Sequence, residues 1–236
     1  TKIRSDKFKI TEFIINNLVK KYNYLEFQLS PSFKDIRPFQ WYNYNKKTKK
    51  KFEIETRYTS FINFENQNLN NFLETKIYNG METVRRYDYR TAIKENAKIY
   101  KSKDLKYFFK FYSALMKNQK IKFNKNSEKK LKDILMSIAE KEIGSLFHVE
   151  DTKKNILYTL FYIWDKKKAY YFLGAGNPKK NTSWQSIFGH CEIFKTMQND
   201  MNINVIDLEG VNSPKRGWFK LSLGGNLESY YKVKLN

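Results

Sequence analysis

Three segments of this 236-residue chain carry residue types and spacings suited to chemistry. The first is Gly174-Ala175-Gly176-Asn177, followed by Lys179-Lys180-Asn181-Thr182-Ser183. A glycine-bearing turn lets backbone N–H groups approach an anion, and a helix N-terminus behind it adds roughly half a positive charge. Placed between a strand and a helix, Gly174, Gly176, Asn177 and Lys179 would hold phosphate oxygens. The Gly-Lys-Ser/Thr ending of a Walker loop is absent, and an ordinary strand-to-helix turn is the plainer alternative. The second segment is Asp207-Leu208-Glu209-Gly210. Carboxylates at i and i+2 of a strand share a face, where they would orient an amine and accept its proton. An N-cap, or an ion pair with Lys215 or Arg216, would use the same residues structurally. The third runs from Lys215 to Gly225. Here Lys220 beside Phe219 would neutralise a phosphate or a developing oxyanion; a surface turn with Phe219 packed inward is the alternative.

These segments need elements to hold them. Apolar spacing over residues 8–22 predicts an amphipathic helix, and the alternation from Tyr24 to Leu29 predicts a strand that Ser30-Pro31-Ser32 breaks. Residues 38–44 and 52–64 read as a β-hairpin whose tip is the basic run Lys46–Lys51. The pattern is helical from Leu69 to about Asn96, with Arg85, Arg86 and Arg90 close together. A short strand follows at Ala97–Tyr100, then a helix from Lys103-Asp104 to Met116. Another helix is capped by Ser127, with Leu131, Ile134, Leu135 and Ile138 as its stripe. Ile143–Glu150, Asn155–Trp164 and Lys168–Leu173 read as three antiparallel strands. A helix is expected from about Ser183 to Met197, a strand at Ile203–Leu208, a short helix at Lys215–Leu221 and a last strand at Ser229–Lys234. The fold class is α+β, with a mixed sheet and interspersed helices.

Composition excludes several classes. Aromatic residues make up 17% and apolar residues 41%, too many for a disordered chain. One cysteine excludes a disulfide framework or a multi-cysteine zinc module. No apolar run reaches the ~20 residues of a spanning helix, so no membrane span is expected. The start carries no secretion signal, and with the solitary Cys191 it points to the cytoplasm. Lys and Arg total 45 against 24 Asp and Glu, giving a formal charge of +21. That charge invites a polyanion partner, whether nucleic acid, nucleotide phosphates or an anionic membrane. A coding bias toward lysine and asparagine would produce it too. No zinc-finger spacing, aromatic RNA-binding signature or basic zipper is present. His148 and His190 stand too far apart in sequence to suggest a metal site, and neighbouring helix positions do not aim His190 at Cys191. Trp41-Tyr42-Asn43-Tyr44 reads either as core or as a stacking platform.

In this order, the three segments resemble the FemAB-like branch of the GNAT acyltransferase superfamily. The resemblance rests on Tyr171–Asn177, on Asp207–Pro214, on Phe219-Lys220-Leu221-Ser222-Leu223-Gly224-Gly225 and on Tyr230-Tyr231. Upstream it includes Arg37–Tyr44, Arg57-Tyr58-Thr59 and Val84–Ala92, the last similar to the family's helical basic segment. It implies two GNAT-like halves sharing a cleft, the first reduced, over residues 1–100 and 101–236. It also implies acyl transfer from an activated carbonyl to an amine, with Phe219 and Lys220 at the transfer site. On this reading Asp207 and Glu209 position the amine and take its proton. Gly174, Gly176, Asn177 and Lys179 hold donor phosphates, and Trp41, Asn43, Arg57, Tyr58, Asn212 and Lys215 contact the acceptor. The expected donor is a thioester of the acyl-CoA type, used as co-substrate, with no permanently bound cofactor. The expected acceptor is an amino-sugar nucleotide or a cell-surface glycan precursor. The chain departs from the family in its shortness and in lacking the long coiled-coil insertion, which disfavours a transfer-RNA donor. It also lacks the usual Gln/Arg-x-x-Gly-x-Gly/Ala pyrophosphate loop. Two rivals follow: a tRNA-dependent aminoacyltransferase extending a peptidoglycan stem, and a non-catalytic nucleic-acid-binding module using Arg85, Arg86 and Arg90.

Overall fold

The densest apolar runs, Gly144-Ser-Leu-Phe-His-Val-Glu150 and Ile156-Leu-Tyr-Thr-Leu-Phe-Tyr-Ile-Trp164, become adjacent antiparallel strands, β4 and β5. Most residues in them are buried and none is exposed, the signature of strands covered on both faces rather than one. The computed structural model describes residues 2–236, with side chains from residue 5 onward.

The chain divides into two compact units. One takes the chain up to Thr59 with Gly210–Asn212 and Leu227–Asn236; the other takes Ser60–Glu209 with Ser213–Asn226. The first crossing between them falls at Thr59/Ser60, inside a strand.

In the first unit, α1 (Lys2–Lys21) and β1 (Leu25–Gln28) form where periodicity places them. β1 pairs antiparallel with the C-terminal strand β8 (Asn226–Leu235). Ile15, Leu25, Phe39, Phe52, Val233 and Leu235 form the core of this unit. The expected hairpin over 38–64 does not form. Its first arm is a short helix, α2 (Arg37–Trp41), with Pro38 in the first turn, where a missing N–H costs nothing. Phe39 is thereby buried against Phe27, Phe33 and Phe52. Only the second arm is a strand, β2 (Glu53–Asn63), and the lysine run 46–51 is an exposed connection between α2 and β2.

The second unit begins with the end of β2, then a 3-10 helix (Leu69–Glu74), α3 (Lys76–Gly80), α4 (Thr83–Lys94) and β3 (Lys98–Ser102). Two amphipathic helices follow, α5 (Lys106–Asn118) and α6 (Lys125–Glu140). The α6 N-cap is Asn124, not Ser127: Asn124 accepts the Ser127 N–H at 2.9 Å. Next come β6 (Ala169–Gly176), α7 (Gln185–Met201), β7 (Val205–Asp207) and α8 (Pro214–Leu221). The strands of this unit order as β2-β7-β6-β5-β4-β3, antiparallel except for β6 with β7. The sheet is therefore mixed. One face carries α7, whose Ile187, Cys191, Phe194 and Met197 join Leu160, Tyr162 and Ile206. The other carries α5 and α6, through Phe108, Phe109 and Leu135 against Leu146 and Phe161.

Candidate functional site

The site of the second unit is built on an irregularity in β6. Against β5, Phe161 pairs with Leu173 but Tyr162 pairs with Tyr171, so Phe172 is an extra residue. Such a bulge resets the alternation of side chains. Tyr171 consequently turns toward α7, against Tyr162 and His190, while Leu173 joins the opposite core with Phe161. In an unbroken strand those two would share a face. On its other side β6 pairs with β7 only at Ala169 and Tyr170. From Tyr171 to Gly174 it borders a cavity of about 320 Å³.

Three elements complete this cavity. Tyr158 of β5 and Tyr112, Leu115 and Met116 of α5 give it an apolar and aromatic wall, with Gln119 at the end of α5. Lys215, Arg216, Phe219 and Lys220 of α8 give it a cationic one. The Lys220 ammonium lies 5.4 Å from the Tyr171 ring centroid. The sequence pointed to Phe219, Lys220, Lys215 and Gly174, and the fold gathers these four around one space. Tyr158, Tyr112, Leu115 and Met116 were missed. They lie on a strand and a helix whose patterns read as ordinary core, and the amphipathic stripe of α5 was their one signal.

The α8 segment is anchored at its far end. Arg85 of α4 donates through Nε to Ser222 Oγ at 2.9 Å and through Nη1 to Asp88 Oδ2 at 3.3 Å. Its guanidinium also sits 5.4 Å from the Phe219 ring. Ser222 Oγ donates to the Phe219 carbonyl at 2.7 Å, and Asp88 accepts Ser183 Oγ at 2.6 Å. Asp88 is buried, and these partners satisfy it. Gly224 stands at φ +81°, where any side chain would press on the Ile77 carbonyl at 2.9 Å. Only glycine accepts both conditions. Arg85 is thus turned inward and is not part of an exposed basic patch.

Asp207 and Glu209 meet differently from the expectation. β7 ends at Asp207, whose Oδ1 accepts the Glu209 N–H at 2.8 Å. Glu209 then adopts φ +63°, a left-handed conformation costing an L-residue about 1 kcal/mol or more. A turn, not strand alternation, brings the carboxylates together. Burial first, and then the Asp207 charge, raises the Glu209 carboxyl above the usual Glu value, while Lys220 pulls it back. Glu209 keeps an exposed side, which limits that rise. Burial lowers Lys220 below the ordinary lysine value, and Arg216 adds to this; Glu209 and Asp207 oppose it. Lys220 is therefore the group common to the cavity and the carboxylate pair.

Behind the cavity lies His190, fully buried, with ring centroids 4.6 Å from Tyr171 and 5.7 Å from Phe219. Burial, then the Lys220 charge, pushes its pKa down to about 3, so it stays neutral and hydrogen-bonds Tyr162 through Nδ1. Burial pushes the Cys191 thiol well up, which leaves it unreactive. Among the described residues no cluster of His, Cys, Asp and Glu could hold a metal ion.

The expected phosphate cradle is not formed as read. β6 runs on through Gly176, and α7 begins only at Gln185, so no glycine turn feeds the helix. Gly174 and Gly176 lie instead under aromatic rings. A side chain at Gly174 would run into Tyr171 Oη and approach Tyr158 Oη, and one at Gly176 would press on Gln185 and the Tyr158 ring. Asn177 is structural: its amide donates to the Ile156 carbonyl at 2.9 Å and its Oδ1 accepts the Lys179 N–H at 3.0 Å. The Lys179 side chain is exposed, and Gly176, Asn177 and Lys179 do not line the cavity.

The remaining residues expected at the acceptor belong to the first unit. Trp41 is exposed, with its ring 5.3 Å from Phe8 and 5.4 Å from the Arg37 guanidinium. Asn43, at φ +57°, donates to the Lys50 carbonyl at 2.9 Å. Arg57 pairs with Glu55 at 3.2 Å. Asn212 grips the Tyr58 backbone twice, accepting its N–H at 2.8 Å and donating to its carbonyl at 3.0 Å. That grip continues a strand pairing by side chain and explains Asn212 without a ligand.

No family model matches the chain, and neither does any curated protein. Solved structures do. The chain is similar to FemX, with a TM-score of 0.67 at 11% identity, over 93% of this chain and 76% of that one. It is similar to L-PGS from Bacillus licheniformis, with a TM-score of 0.61 at 9% identity, over 95% and 71%. A tandem GNAT protein from the clavulanic acid biosynthesis pathway gives 0.54 at 7% identity, over 99% and 69%. At such identities the likeness is one of backbone: the chain has the fold that FemX and this tandem GNAT protein share.

Proposed function

We propose that the chain is an N-acyltransferase, and that the cavity between β6, α5 and α8 receives the acyl donor. The observation that carries this reading is the position of Lys220, which lines the cavity and shares an electrostatic field with Glu209 and Asp207. The edge of β6 beyond Tyr170 offers backbone groups to an extended donor arm, as an added strand would use them. Lys215 and Arg216 supply charge for phosphates. The amine nitrogen attacks the thioester carbonyl and the carbon–sulfur bond breaks. The acyl group becomes an amide, and the sulfur departs as a thiolate that takes a proton from solvent, balancing the proton that the amine gives up. Glu209, raised above an ordinary carboxylate, accepts the proton the amine loses. Lys220 compensates the negative charge that grows on the carbonyl oxygen. The acceptor on this reading is an amino-sugar nucleotide or glycan precursor.

A second donor, an aminoacyl ester on transfer RNA, is favoured by the charge of +21. A screen of acyl-CoA thioesters with amino-sugar nucleotides, read by thiol release, tests the first reading. Aminoacyl transfer from charged tRNA, with no thiol release and a steep salt dependence of binding, would replace it with the second. Transfer from neither donor, with tight polyanion binding, would leave a nucleic-acid-binding module.

A further inference from the structure

Helix α1 has two apolar faces, and the core of its unit uses one of them. Ile15, Leu18 and Val19 pack inward. At 100° per residue, Ile10, Phe13 and Ile14 form a second stripe on roughly the opposite side. These three are 58%, 70% and 48% exposed. Lys7 borders the stripe on one side and Lys9 and Lys20 on the other, while Asp6, Asn17 and Lys21 continue its line toward the two ends of the helix. Asp6 and Glu12 are the helix's only carboxylates.

We infer that α1 is an interfacial helix that lies on an anionic phospholipid bilayer. Ile10, Phe13 and Ile14 enter the boundary between headgroups and acyl chains, and the bordering lysines meet lipid phosphates. An apolar stripe edged by lysines is the pattern that binds in the plane of a membrane. Nucleic acid would satisfy the lysines but leave Phe13, the most exposed of the three, against water or phosphate. A second copy would satisfy the stripe but bring the bordering lysines of both chains together. The inference concerns the first unit and does not depend on the acyltransfer reading.

The test is sedimentation of the full chain with vesicles of phosphatidylserine and phosphatidylcholine, against vesicles of phosphatidylcholine alone. Binding to the anionic vesicles, screened by salt, is expected. Phe13→Asp with Ile10→Ser is expected to weaken it about tenfold or more. Lys7→Gln with Lys9→Gln is expected to reduce both the binding and its salt dependence. All four positions are on the surface, and an unchanged melting temperature shows that the variants are folded. Equal binding to both vesicle types, or full binding by the Phe13→Asp variant, would overturn the proposal. So would a concentration-dependent dimer that Phe13→Asp dissociates, since the stripe would then belong to a second copy.

Discussion

The segment Phe219–Gly225 and the segment Gly174–Lys179 both attracted notice as short runs of chemistry-bearing residues, and the fold treats them oppositely. In the first, every notable residue keeps the kind of role its type suggests. Phe219 and Lys220 face the cavity, Ser222 is gripped by Arg85, Leu223 is core and Gly224 takes a positive φ. In the second, the glycines serve packing beneath Tyr158 and Tyr171, Asn177 holds a loop and Lys179 points to solvent. A motif closed by local backbone geometry can be read from its own residues. One that depends on where a strand ends and a helix begins cannot, because eight residues separate Gly176 from the first turn of α7.

That contrast can be broken most directly at Lys220. Lys220→Ala is expected to lower turnover about 10²-fold or more, measured as thiol release at saturating donor; turnover near that of the unmodified chain would remove Lys220 from the chemistry. Arg85→Ala leaves buried Asp88 short of its ionic partner and frees the end of α8. Urea denaturation should show a loss of about 2–3 kcal/mol, and Arg85→Lys, lacking the forked geometry, should recover only part of it. Gly174→Ala forces Tyr171 and Tyr158 apart, with an expected stability cost of about 1–3 kcal/mol and a raised KM for the donor. An unchanged KM would show that the β6 edge does not bind it.

The pH profile tests the same pair of charges. Glu209 must be ionised to act as base, and its pKa is raised, so the acid limb should fall at a higher pH than for an ordinary glutamate. Lys220 must be protonated to stabilise negative charge, and its pKa is lowered, so the alkaline limb should begin below the ordinary lysine range. Each limb changes the rate by about tenfold per pH unit when one group controls it. Lys220→Arg should move the alkaline limb upward, and a limb that stays in place belongs to another group. The smallest effect is expected at Lys179→Ala: stability within about 0.5 kcal/mol and transfer unchanged. A clear rise in donor KM there would restore the phosphate role to Lys179.

Elsewhere, legibility followed the same rule. The strands β4 and β5 and the helices α5 and α7 were readable because long apolar patterns survive any detail of packing. The short helix α2 was read as strand because Pro38-Phe39-Gln40-Trp41 has no period long enough to decide, and burial of Phe39 against other aromatics decides it instead. The Asp207/Glu209 pair was found by residue type, but its geometry was wrong because β7 stops at Asp207 and a left-handed turn follows.

From its residues alone, this chain determined an α+β class and the order of most elements, and singled out Phe219 and Lys220, which the fold sets on one cavity. Those follow from periodicity and from side-chain chemistry, which are local. Tertiary structure alone decided that β6 carries an extra residue at Phe172, that α5 supplies a wall of the cavity and that Lys220 answers to Glu209. Each of these depends on strand register or on packing between distant segments, and a one-residue slip in register sends a side chain to the other face of the sheet.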